Sequence, residues 1–166
     1  MSTPATWLAP FTANIETAGI QQEPDVTALA NGNFLVVWED DNDDVADGPG
    51  KDIVGVIFNA LGQAVSDAIF LNDGFGVGKP ESQPSVGATS DGGFVLIYEF
   101  AAGGDDDILF ARYDAAGART QMGHIFADFS NPVAARDPVL AVSDDDSFFV
   151  AYEHQDGADQ SLRGRH

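Results

Sequence analysis

"DVTALANGNFLVVWED", residues 25–40, reads as a strand, a tight turn and a second strand, and the chain writes it three times. It returns as "SVGATSDGGFVLIYEF" at 85–100 and, more loosely, as "VLAVSDDDSFFVAYEH" at 139–154. Pro24, Val26, Gly32, Phe34, Trp38 and Glu39 recur as Pro84, Val86, Gly92, Phe94, Tyr98 and Glu99. Pro138, Leu140, Phe148, Tyr152 and Glu153 form the third set. A fixed period of this kind is the signature of a repeat architecture. The second halves match as well: "DIVGVIFNALG" at 52–62 corresponds to "DILFARYDAAG" at 107–117.

Each unit of roughly 55–60 residues therefore holds four short strands, a to d. Asn31-Gly32 and Asp91-Gly92 predict two-residue type I′ hairpins between a and b, because both dipeptides tolerate positive φ. Asp145-Asp146 stands there in the third unit and leaves its turn type open. Strand b is apolar on both faces, with Phe34, Val36 and Trp38 on one and Leu35 and Val37 on the other. A sheet with one wet face would alternate instead. Strands covered on both sides predict four-stranded antiparallel blades packed face to face, an all-β, β-propeller-like array. A β-sandwich is the alternative, and it accounts less naturally for the period.

One repeat domain is expected over 1–166. It divides into a d-type strand at 11–20, repeat one at 21–80, repeat two at 81–134 and an incomplete repeat three at 135–166. Arg165-His166 aligns by residue type with Arg112-Tyr113, inside strand c. Three units fall below the four to eight blades of a closed ring. The expectation is a piece of a longer protein, with homo-oligomeric closure as the alternative.

The chain carries 27 acidic against 7 basic residues, a formal charge of −20, and no cysteine. Such a surface repels phosphate backbones and anionic membranes, so nucleic acid is excluded as an expected partner. Membrane insertion is not expected, since no run approaches the ~18–20 apolar residues of a span. "MSTPATWLAP" shows no Sec-type signal pattern.

The motif Q-x-x-P-x-V-x-x-L-x-[ND]-G-x-F-[LV]-V-x-W is carried by Gln21, Pro24, Val26, Leu29, Gly32, Phe34, Val36 and Trp38. With the acidic loop and the "ARYDAAG" strand, it resembles repeats of large secreted bacterial proteins of the RTX or type I secretion class, adhesins and haemolysin-like proteins among them. The resemblance covers residues 11–166. It implies a secreted or cell-surface location, a calcium-rich setting and a role in adhesion or binding. The glycine-rich nonapeptide calcium repeat of that class does not occur here.

The b–c loops are the polar feature of most interest: "EDDNDDVADGPGKD" at 39–52, "GGDDD" at 103–107 and "QDGAD" at 155–159. On blades they would form an acidic crown on one rim. Calcium takes six to eight oxygens on flexible loops, and Asp40, Asn42, Asp44 and Asp47 are its candidate ligands. The bland alternative is a solvated acidic loop that keeps sheet edges apart. Glu39, Glu99 and Glu153 repeat in equivalent surroundings, whereas an acid/base pair needs two different ones. A structural role at the blade rim is therefore expected of them, and no catalytic residue is assigned. Trp38, Tyr98 and Tyr152 are read as interblade core rather than sugar-stacking platforms. His124, His154 and His166 are isolated, and Arg112 and Arg165 are read as repeat equivalents at a blade edge.

The expected function is a non-catalytic binding, adhesion or spacer module with a glycan or protein ligand. Two alternatives stand beside it. One is a fragment of a propeller-type carbohydrate-active enzyme, a glycosidase or lyase. The other is a structural subunit that closes a ring by oligomerisation.

Overall fold

The computed structural model describes residues 10–42, 50–72, 79–101, 106–126 and 133–166. They form eleven strands: β1 (Gln21–Ala28), β2 (Phe34–Asp40), β3 (Asp52–Phe58), β4 (Ile69–Phe70), β5 (Glu81–Ala88), β6 (Phe94–Ala101), β7 (Asp106–Tyr113), β8 (Arg119–Phe126), β9 (Val133–Val142), β10 (Phe148–Asp156) and β11 (Asp159–Arg165). Pairing follows chain order, giving the antiparallel sheets β1-β2-β3-β4, β5-β6-β7-β8 and β9-β10-β11. These are blades one, two and three of a propeller-like array. Strand β5 packs against both β1 and β9, so the first strands of the blades line one side of it.

The two apolar faces of each second strand account for the stacking. Leu35, Val37, Ile53 and Leu71 of blade one enclose a core with Phe94, Leu96, Tyr98, Leu109 and Tyr113 of blade two. Ile97, Ile108 and Ile125 on the far face of blade two meet Val150, Tyr152 and Ala135 of blade three. Phe94 stacks on Tyr113 with ring centroids 4.7 Å apart and an interplanar angle of 10°. Trp38, Tyr98 and Tyr152 are all buried, as core residues should be.

The turns differ from expectation. In the a–b turn of blade one, Gly32 N donates to Leu29 O at 3.0 Å and Leu29 N to Asn33 O at 2.8 Å. Gly32 alone has positive φ, +84°, while Asn31 does not. This is the three-residue loop in which a type I turn is followed by one left-handed residue, not a two-residue type I′ turn. The same hydrogen-bond pair closes the turns Thr89–Gly93, Asn59–Gln63, Asp114–Ala118 and Ser143–Ser147. In the last of these Asp146, at φ +63°, takes the glycine position. Aspartate tolerates the left-handed region better than most side chains, so the third copy keeps the turn without glycine.

Two further expectations change. Residues 10–20 form no strand. Arg165 pairs with Val150, whose counterpart Leu96 pairs with Ala111, so Arg165 and Arg112 are not equivalent. The hairpin between β10 and β11 turns on Gly157 and Ala158 alone, and such a short link sets a register that residue type does not reveal.

Phe94 is 1% exposed and its counterpart Phe34 is 42% exposed. Phe94→Ala is expected to cost about 3–5 kcal/mol, and Phe34→Ala distinctly less. Urea denaturation of the two variants checks this, and equal losses would contradict the assigned stacking.

Candidate functional site

Polar chemistry concentrates at the seams between blades. Glu23, Gln83 and Asp137 each precede a proline and have positive φ, +49°, +52° and +49°. In blades one and two the ladder with the second strand shifts register there, between Gln22 and Asp25 and between Ser82 and Ser85. A bulge of this kind leaves its extra residue out of the ladder, and the amide needs another acceptor.

A glutamate from the preceding blade supplies one. Glu39 Oε1 accepts Gln83 N at 2.8 Å, and its Oε2 accepts Gln22 Nε2 at 2.9 Å and Lys51 Nζ at 2.6 Å. Glu99 Oε1 accepts Asp137 N at 2.6 Å, with Ser82 Oγ on Oε2 at 3.2 Å. Asp25 and Ser85 repeat the device along the first strands, accepting Val86 N at 2.8 Å and Leu140 N at 3.2 Å. At the turn end, Asp146 accepts Ser90 N at 2.6 Å and Ser90 Oγ at 2.7 Å, and its carbonyl takes Arg112 Nη2 at 2.7 Å.

The two glutamates titrate in opposite directions. Burial pushes the Glu39 carboxyl up, but Lys51, the Gln83 amide and Gln22 outweigh it and hold the group below its ordinary value. Burial also raises Glu99, and the Asp137 amide and Ser82 do not offset it with Asp137 and Asp106 carboxylates nearby.

A buried cluster joins Asp52, Asn72 and Glu81, none more than 3% exposed. Asn72 Nδ2 donates to Asp52 Oδ1 at 2.9 Å and Glu81 Oε2 at 3.0 Å, and Asn72 Oδ1 accepts Ile53 N at 3.2 Å. Glu81 starts an inner strand where the other units have Gln21 and Ala135, so it departs from the repeat. Neither Asn72 nor Glu81 was legible as a site residue. The available signal was that departure, a carboxylate where one copy has an amide and another a methyl group.

The expected calcium ligands are only partly placed. Asp40 Oδ1 accepts Asn42 N at 3.0 Å, and Asp40 also meets Gln21 Nε2 at 3.4 Å and Trp38 Nε1 at 3.5 Å. Asp44 and Asp47 lie outside the described residues. Among the described residues no group of three or more His, Cys, Asp or Glu side chains is placed to hold a metal. A crevice of about 140 Å³ lies beside Trp38, between residues 13–14 and the start of β1. His154 is buried with its ring edge-on to Phe126, centroids 5.5 Å apart, which gives it a packing role.

No family model and no curated protein sequence matches the chain. Among solved structures it is similar to a thermostable family-43 glycoside hydrolase, with a TM-score of 0.62 and 12% identity. The match covers 90% of this chain and 55% of that one, so the chain spans about half the length of its structural neighbour. At that identity the likeness establishes the fold.

The opposed shifts predict opposed pH dependence. Glu39, held low, contributes stability above its unfolded-state value and loses it as pH falls through the folded value. Glu99, held high, contributes stability below its unfolded-state value and loses it as pH rises through the folded value. Glu39→Gln is therefore expected to cost about 1–3 kcal/mol at neutral pH and less near pH 3. Glu99→Gln is expected to be close to neutral or stabilising at pH 7. Denaturation curves across that range test both, and losses of the same sign and pH profile would contradict the assignment.

Proposed function

We propose that the chain is a non-catalytic propeller module of a secreted or cell-surface protein, acting as a binding or spacing unit toward a glycan or protein. The observation that carries this reading is the occupation of the carboxylates at the two seams between blades. Glu39 and Glu99 are committed to backbone amides of the neighbouring blade. Asp52 and Glu81 are buried against Asn72. Catalytic acids and bases need access to a substrate atom and a proton to exchange with it, whereas Glu39 and Glu99 are taken up by the neighbouring blade's amides and Asp52 and Glu81 are withdrawn from the surface by burial. The extracellular setting follows from the resemblance of the Q-x-x-P repeat. Ligand recognition falls to the acidic rim, where the three b–c loops differ in length and composition. Calcium would be bound in the longest of those loops, by Asp40, Asn42, Asp44 and Asp47.

The rival reading, a fragment of a carbohydrate-active enzyme, has one observation in its favour. Glu81 is a carboxylate that breaks the repeat on a first strand. The two readings part on turnover. The module is expected to be retained on an immobilised glycan or protein ligand and to release no reducing sugar from any polysaccharide it binds. Sugar release that disappears in Glu81→Gln would establish the enzyme instead. The calcium component is tested by melting, with an expected rise on adding calcium that Asp44→Asn and Asp47→Asn abolish. A melting temperature indifferent to both calcium and chelator removes that component.

A further inference from the structure

The three a–b turns share one backbone but not one side chain at the centre. Asn31, Asp91 and Asp145 hold equivalent places, and the Oδ1 of each accepts the amide two residues on. Asn33 N lies at 3.0 Å, Gly93 N at 3.0 Å and Ser147 N at 3.1 Å. Where the residue is aspartate, a hydroxyl two positions earlier also donates to it, from Thr89 and from Ser143, both at 2.6 Å. Blade one has Leu29 in place of the hydroxyl and an amide in place of the acid.

Asn31 is also set apart from the other asparagines. Alone of the seven in the chain it precedes a glycine, and residues 30–32 are exposed. Its Oδ1 holds Asn33 N, but among the described residues its Nδ2 meets no acceptor. A Cβ placed on Gly32 would have nothing within 4 Å, so the Gly32 nitrogen stands in open space. Asn14, Asn33 and Asn59 instead precede Ile15, Phe34 and Ala60. Asn59 is further bound at both ends, by Leu61 N at 2.9 Å and Gln63 N at 3.0 Å on Oδ1 and by Gln63 Oε1 at 3.0 Å on Nδ2. Asn72 is 1% exposed.

We infer that Asn31 is a site of spontaneous deamidation, the one place where the first repeat converts itself to the aspartate form of the other two. The Gly32 nitrogen, unhindered by a side chain, attacks Asn31 Cγ and gives up its proton. The Cγ–Nδ2 bond breaks, and Nδ2 leaves with that proton as ammonia. Water then opens the resulting five-membered imide. Cleavage of the new N–Cγ bond leaves aspartate at 31, with Asn33 N still placed to donate to it. Cleavage of the original peptide bond leaves an isoaspartyl link, which lengthens the loop closed by Gly32 N to Leu29 O and Leu29 N to Asn33 O. Either product adds one negative charge to the turn. In the closed turn Gly32 N donates to Leu29 O at 3.0 Å, so attack follows local opening and its rate reports how often the first hairpin opens. The inference holds whatever the module binds.

The full chain is incubated folded at pH 8 and 37 °C, beside a sample unfolded in urea, and each asparagine is followed by peptide mapping with mass spectrometry. In the folded chain Asn31 is expected to convert about tenfold or more faster than any other asparagine. Gly32→Asp copies the third turn, where Asp146 holds the same left-handed place at φ +63°, so an unchanged circular dichroism spectrum is expected. The added side chain should slow conversion of Asn31 about tenfold or more. Asn31→Asp supplies the authentic product for comparison. Conversion of Asn31 in urea but not in the folded chain, faster conversion at another asparagine, or a folded Gly32→Asp chain converting at the native rate would each overturn the inference.

Discussion

The array depends on one hydrogen bond made twice: a glutamate at the end of a second strand accepts the bulge amide of the next blade. The amide belongs to a non-glycine residue in the left-handed region, a conformation costing on the order of 1–3 kcal/mol. It also precedes proline, which presses its neighbour toward extended backbone. A hydrogen bond to a charged acceptor contributes about 1.5–3 kcal/mol, so bond and strain come close to cancelling. The tie is better understood as a lock on geometry than as a source of stability. It fixes how far one blade slides along the next, and the apolar faces then supply the attraction.

The lock is not uniform. Glu39 has Lys51 beside it, and Glu99 has two further carboxylates and no lysine. The seam between blades two and three instead carries an ion pair at its exposed margin, Arg136 to Asp106 at 2.6 Å. Surface pairs of this type contribute little, so this seam leans more heavily on Ile97, Ile108, Val150 and Tyr152. In a chain with a formal charge of −20 and seven basic residues, placing Lys51 and Arg136 at the two seams limits repulsion where blades must approach.

Much of the architecture was legible because repetition exposes it. Phe34, Phe94 and Phe148 with Trp38, Tyr98 and Tyr152 marked one face of the second strands. The three repeated glutamates announced a structural role, and the first two have it. The turn type was not legible, since Asn-Gly and Asp-Gly serve a two-residue and a three-residue hairpin alike. The bulge was hidden for a different reason. Glu23, Gln83 and Asp137 share no residue type, and a residue before proline argues for extended backbone rather than the left-handed form. Asp52, Asn72 and Glu81 come together only through tertiary folding, across 9 and 20 residues of chain. Residues 11–20 were expected as a strand and form none; Phe11 and Ala13 pack instead on blade one, against Phe58 and the cluster around it.

The central claim is that each glutamate holds the bulge amide of the following blade, one seam at a time. Amide hydrogen exchange measured by NMR in the native chain and in Glu39→Ala tests it most directly. Loss of protection at the Gln83 amide, with the Asp137 amide still protected, is the predicted result. An unchanged Gln83 amide, or equal loss at both, would contradict it.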